Sequence, residues 1–186
     1  MKRIFDLVLL FIIGIFLFLP FGIIWLSVRL TSEGPALYWS SRVGIKNALF
    51  KMPKFRSMYI GTSEVATHLL NNPDSHLTPI GSFLRKNSLD ELPQLWSIFK
   101  GDMSFVGPRP ALFNQKDLIR LRTKVGVDEL LPGLTGWAQV NGRDELSISQ
   151  KVAFDIEYMQ RQSLFFDLKI LWITFLKVIK RNGISH

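Results

Sequence analysis

From Leu7 to Val28 the chain carries no charged residue, and a run of that length matches the roughly 20 apolar residues a helix needs to cross a hydrocarbon core. The rest of the chain must therefore fold beside a bilayer. A cleaved signal peptide is not expected, because the run exceeds an h-region of about 7–15 residues and no small-x-small site follows it. Pro20 interrupts the run, with Gly14 and Gly22 on either side. An interior proline removes one helical hydrogen bond and clashes with the carbonyl four residues earlier, here Phe16. The arms Ile4–Leu19 and Phe21–Thr31 would be roughly 24 and 16 Å long, each short of a core of about 30 Å. Lys2 and Arg3 on one side and Arg29, Arg42 and Lys46 on the other give no strong orientation signal. Two arrangements fit, a single kinked spanning helix and a re-entrant helix-break-helix with Pro20 at the kink. The short arms favour the second.

Taking residues 1–31 as a membrane anchor leaves 32–186 of the 186-residue chain, enough for one domain with its own core. The formal charge of +8 calls for an anionic partner, which could be nucleic acid, an anionic lipid surface or a phosphorylated substrate. There is no cysteine, so disulfides and thiolate metal sites are excluded. His68, His76 and His186 lack the spacing of a zinc site.

After the apolar run, residues 36–58 carry Tyr38, Trp39, Val43, Phe50 and Phe55 with turn signals at Gly44 and Asn47, the pattern of a small β-hairpin. Residues 61–79 are polar and loop-like. Residues 79–99 read as an interrupted helix, with Ser88 and Glu91 spaced as a capping box and Pro93 pushing the regular helix a few residues later. Short helices are expected over 114–122 and from Ser147 onward. In the last, 163–181, Lys169, Thr174, Lys177, Lys180 and Arg181 share one arc of about 140°, opposite a wide apolar face. That pattern suits a helix lying at a membrane surface and equally a core helix with snorkelling lysines.

The candidate chemistry centres on Asp90 and Glu91, which stand between Arg85 and Arg109. Acidic residues at a helix start also simply complement the dipole. Adjacent helical residues point about 100° apart, so different roles are more plausible than a symmetric dyad. Arg85 and Arg109, the latter between Pro108 and Pro110, could grip phosphate oxygens bidentately or be surface charges. Lys54 and Arg56 carry the same two readings. Gln139, Asn141 and Arg143 offer donors and acceptors to a nucleotide, or form a polar turn that satisfies its own backbone. Neither a P-loop nor a Rossmann glycine signature occurs, and no nucleophile elbow is visible.

Taken in order, these blocks resemble the bacterial sugar transferases of the small monotopic phosphoglycosyl transferase family. The resemblance covers Lys2-Arg3 and the apolar run, residues 54–58, Arg85, the runs 88–95 and 101–110, the run 132–143, and Asp167. It implies an α+β, mostly helical monotopic membrane protein with a re-entrant N-terminal anchor, interfacial amphipathic helices and a small β-hairpin. It further implies a site on the cytoplasmic face of a bacterial inner membrane. There a phosphosugar would pass from a UDP-sugar to polyprenyl (undecaprenyl) phosphate, releasing UMP and initiating glycoconjugate assembly, with no nucleic-acid partner. By the same resemblance Asp90 is the nucleophile and a Mg2+ contact, Glu91 its dyad partner, and Arg85, Arg109 and Arg143 hold phosphates or nucleotide. One departure is Leu19, where the family often has a serine before the proline. The rivals are a one-step transferase in which Asp90 only holds metal, and a membrane-anchored module binding anionic lipid or nucleic acid.

Overall fold

The computed structural model describes residues 1–62, 72–142 and 145–180. Helix α1 (Lys2–Thr31) is followed by an antiparallel hairpin, β1 (Leu37–Val43) and β2 (Leu49–Phe55), in the register Leu37 opposite Phe55. Next come α2 (Gly81–Lys86), a 3₁₀ segment Leu89–Gln94 and α3 (Leu95–Lys100). Strand β3 (Ser104–Val106) and helix α4 (Lys116–Lys124) precede β4 (Gly133–Thr135), which pairs with β3 in parallel. Helices α5 (Trp137–Val140), α6 (Ile148–Arg161) and α7 (Leu164–Lys180) complete an α+β body.

The hairpin forms where the aromatic and β-branched residues around Gly44 and Asn47 placed it, and its turn needs left-handed backbone at Lys46 and Asn47. The parallel β3–β4 pair was not anticipated. Its strands are three residues each, too short to show alternation, and glycine is what makes them possible. A Cβ on Gly133 would lie 2.1 Å from the Gly107 nitrogen, and one on Gly107 would lie 2.3 Å from the Leu131 carbonyl oxygen. Only glycine lets these two chains cross so closely.

Two expectations about local structure are corrected. Helix α1 is helical on both sides of Pro20 and through it, so the anticipated break does not interrupt the helix; neighbouring turns keep their hydrogen bonds around the one that proline removes. Ser88 does not cap the following segment with its side chain. Its backbone is left-handed (φ 54°), which turns the hydroxyl away from the amides it would cap, and Glu91 bonds elsewhere. The capping box in this chain is Ser147 with Gln150.

Helix α1 is long and apolar enough to cross a membrane, yet both of its ends pack on the same body. Near the start, Leu9, Leu10 and Ile13 pack on the main core, built from Met52, Ile98, Phe105, Tyr158 and Ile170 among others. Arg3 donates to the Phe99 carbonyl (2.6 Å) and to that of Ile98, closing the electronegative end of α3. Lys2 pairs with buried Asp167, which also accepts from the Tyr158 hydroxyl (2.8 Å). Asp6, fully buried, accepts from the Phe105 amide (3.2 Å) and the Ser104 hydroxyl (3.1 Å). That carboxylate thus fills the edge of β3 where a third strand would offer a carbonyl. Near the end of the helix, Val28, Phe21 and Ile24 pack with Phe55 and Leu84.

Phe11, Phe16, Phe18 and Leu19 in the middle of α1 are exposed, as are Phe165, Trp172 and Phe175 on α7 and Trp96 and Phe99 on α3. Helix α7 also buries Phe166 and Ile170, so it serves the core on one face and presents large apolar side chains on another. The side chain of Lys180 and residue Arg181 lie outside the description.

Candidate active site

The 3₁₀ segment Leu89–Gln94 packs between α2, α3 and β2, and its position follows from the left-handed turn at Ser88, which reverses the chain straight after α2. Asp90 is 7% exposed. Strand β2 delivers Lys54 to it: the ammonium lies 3.2 Å from Glu91 Oε1 and 3.9 Å from Asp90 Oδ2. Arg109 Nη2 approaches the same Glu91 oxygen at 3.3 Å. Glu91 is therefore the carboxylate that anchors two cations, and Asp90 is the one set at a longer distance from Lys54. Burial pushes the Lys54 ammonium below its usual value of 10.5, against the opposing pull of Glu91 and then Asp90.

Arg85 is buried in the last turn of α2, and its carbonyl accepts from the Ser88 amide at 3.0 Å. The chain from Arg85 to Asp90 is thus folded as one compact unit. Arg56 lies apart from the cluster. Its guanidinium donates to the carbonyls of Ser32 (2.9 Å) and Glu33 and to the Ser32 hydroxyl (2.8 Å), supplying donors at the end of α1. Gln139 donates to the Leu134 carbonyl (3.2 Å) and Asn141 to that of Trp137 (2.8 Å), so these two side chains bond to their own loop and helix. Arg143 falls outside the described residues.

Among the described residues no group of three or more His, Cys, Asp or Glu is placed to hold a metal. One or two carboxylates are nonetheless the usual protein share for Mg2+ when a substrate diphosphate and waters supply the other ligands. Asp90 could supply one such carboxylate, and an all-protein cage is not what such an ion requires.

Arg42, Arg122 and Asp155 belong to the surroundings of this site and were not singled out from the sequence. Arg122 and Asp155 are 8% and 2% exposed. Their signal was present, since Arg122 lies one helical turn after buried Leu118 and Asp155 lies between buried Val152 and Tyr158, and charges at core-facing positions are rarely left without partners.

A family model described as bacterial sugar transferase matches residues 1–181. The chain belongs to the bacterial sugar transferase family. Over 98% of its length it is 39% identical to the undecaprenyl-phosphate galactose phosphotransferase of Salmonella typhimurium and 36% identical to the undecaprenyl-phosphate glucose phosphotransferase of Komagataeibacter xylinus. It spans only 41% and 36% of those proteins. An uncharacterized sugar transferase of Bacillus subtilis, EpsL, is 40% identical over the whole chain, which covers 91% of that relative.

Proposed function

We propose that the protein transfers a phosphosugar from a UDP-sugar to undecaprenyl phosphate, releasing UMP, through a covalent intermediate on Asp90. The observation that carries the reading is buried Asp90 next to half-buried Glu91, which ties down Lys54 and Arg109, in a chain of this family. A carboxylate oxygen of Asp90 attacks the sugar-bearing phosphorus. The bond from that phosphorus to the bridging oxygen breaks, and UMP leaves with the electron pair. An oxygen of the lipid phosphate then attacks the same phosphorus, freeing the Asp90 carboxylate and giving the polyprenyl diphosphosugar. Lys54 and Arg109 offset negative charge beside the reacting phosphates. Mg2+, held by Asp90 with the substrate diphosphate, would add Lewis-acid stabilisation of the developing charge. Because α1 touches the body at both ends, we read the anchor as re-entrant and the site as lying at the cytoplasmic surface of the membrane, within reach of both a water-soluble nucleotide and an apolar lipid. Assaying UMP release over a panel of UDP-sugars with undecaprenyl phosphate tests the activity and names the sugar; no release from any of them sinks the reading.

Arg85→Lys or Arg109→Lys keeps the charge and loses the fork. Activity should fall more than tenfold, at least about 1.4 kcal/mol, for a bidentate phosphate contact. Steady-state kinetics within twofold of the parent would return either arginine to a role in charge balance alone.

The lowered Lys54 value sets a sign in pH. The ammonium is present below its folded value and lost as pH rises through it, so kcat/KM should show an alkaline limb below pH 10.5. In the same window the unfolded chain binds the proton that the folded chain has released, so this group's contribution to stability rises with pH. Activity and stability should therefore move in opposite directions, and a limb that tracks unfolding in a thermal melt would exclude Lys54 as its source.

A further inference from the structure

The segment that presents Arg109 is held by its carbonyls. Pro108 and Pro110 have no N–H to donate, so the strand that leaves β3 cannot be fixed by amides at those positions. Four successive acceptors are engaged instead. The Pro108 carbonyl takes the Gly133 amide (2.9 Å), that of Arg109 takes Arg122 Nη1 (2.7 Å), that of Pro110 takes Arg42 Nη1 (3.2 Å) and that of Ala111 takes the Val43 amide (2.9 Å). The pin at residue 109 itself is a buried guanidinium. Its Nε and Nη2 atoms lie 2.9 and 2.7 Å from Asp155 Oδ2 on α6, so one planar fork spans a carboxylate on one side and the Arg109 backbone on the other.

We propose that the Asp155–Arg122 pair is a positioning device for Arg109, fixing its backbone so that its side chain reaches Glu91 and the substrate phosphates. The assignment rests on the reading of the site given above. A salt bridge serving stability alone would need only the α4–α6 contact; here the third bond of the fork goes to the one residue of the proline-bounded segment that reaches Glu91. Asp155 neutralises Arg122 where neither charge is in water, and its own carboxyl is pushed up by burial against the pull of Arg122. A displacement of about 1 Å in such a group can cost about a hundredfold in rate.

Arg122→Lys supplies a charge for Asp155, but an ammonium has no planar fork with which to hold both partners. In the full-length protein reconstituted in lipid, kcat/KM for the UDP-sugar should drop at least tenfold while the folded fraction holds. Placed in an Arg109→Lys background, the same substitution should cost less than threefold, because the group it positions has already been removed. Asp155→Asn, close in shape, gives a second series with the same expected collapse. Full additivity with Arg109→Lys in both series would overturn the proposal, as would loss of folded protein in both Arg122→Lys and Asp155→Asn, which would make the pair a stability element. A parent protein that releases no UMP from any UDP-sugar would instead sink the reading of the site, and the positioning role with it.

Discussion

UDP-sugar and Mg2+ supplied without any lipid acceptor should release about one equivalent of UMP per active site and leave sugar phosphate attached to the protein, as ping-pong chemistry requires. Radiolabelled UMP should then exchange into UDP-sugar. Asp90→Asn keeps the size of the side chain and removes the nucleophile, so both signals should vanish, a loss of at least about a thousandfold or roughly 4 kcal/mol in the barrier. Glu91→Gln should act differently. It strips the carboxylate that Lys54 and Arg109 share, so turnover should fall while some adduct still forms, since Asp90 remains. An absolute need for undecaprenyl phosphate before any UMP appears or exchanges, in folded and active enzyme, would leave a one-step transfer with Asp90 in another role.

How much of this site was readable beforehand depended on whether its residues are close in sequence. Asp90, Glu91 and the turn from Arg85 are local, and a run of residue types with known preferences exposes them. Arg109 stood out because two prolines bracket it. Lys54 was ambiguous in the sequence and became specific only when β2 met the 89–94 segment, a contact across 37 residues that no local pattern encodes. Arg56 shows the converse. It follows Lys54 by two residues and looked equally suited to phosphate, yet the end of α1 offers unsatisfied carbonyls, and a buried arginine is drawn to them.

In the fold, the elements with a period were legible and the short ones were not. The hairpin carries its turn signals at Gly44 and Asn47, and the last helix its apolar face, in the residues themselves. The β3–β4 pair is visible only as glycines at 107 and 133 whose reason is each other's backbone. The most consequential choice lay in α1, where length and apolarity fit a spanning helix and a re-entrant one and only the short arms on either side of Pro20 favoured the second. Three polar residues at its start, Lys2, Arg3 and Asp6, hold it to the body, and their partners at Asp167, Ile98, Phe99, Ser104 and Phe105 are more than 90 positions away.

Those partners make the topology testable. With Lys2 on Asp167 and Asp6 on β3, the start of α1 is held to the body that carries Asp90, so a cysteine added at the N-terminus and one replacing exposed Lys124 should label from the same side of a sealed vesicle; no native cysteine confuses the result. Asp6→Ala leaves the Phe105 amide and the Ser104 hydroxyl without their acceptor, roughly 1–3 kcal/mol. Asp167→Ala takes the carboxylate from the Lys2 ammonium and the Tyr158 hydroxyl, which keep their contact with each other (3.2 Å) and the bond from Tyr158 to the Val106 carbonyl (3.2 Å); with those partners left and the Lys2 side chain 27% exposed, the cost should be roughly 2 kcal/mol, below the ~3–5 of a fully buried pair. Together they should release the start of the helix and let part of the population carry its N-terminus across the bilayer, with activity falling as that fraction grows. From the apolar run alone, Pro20 would decide the topology. With the contacts at Asp6 and Asp167 intact, Pro20→Ala should leave the N-terminus on the side of the site, since those contacts hold the start of the helix to the body. Labelling of the two introduced cysteines from opposite sides in the otherwise unsubstituted protein would refute the docked arrangement, and a flip caused by Pro20→Ala alone would return control of topology to the proline.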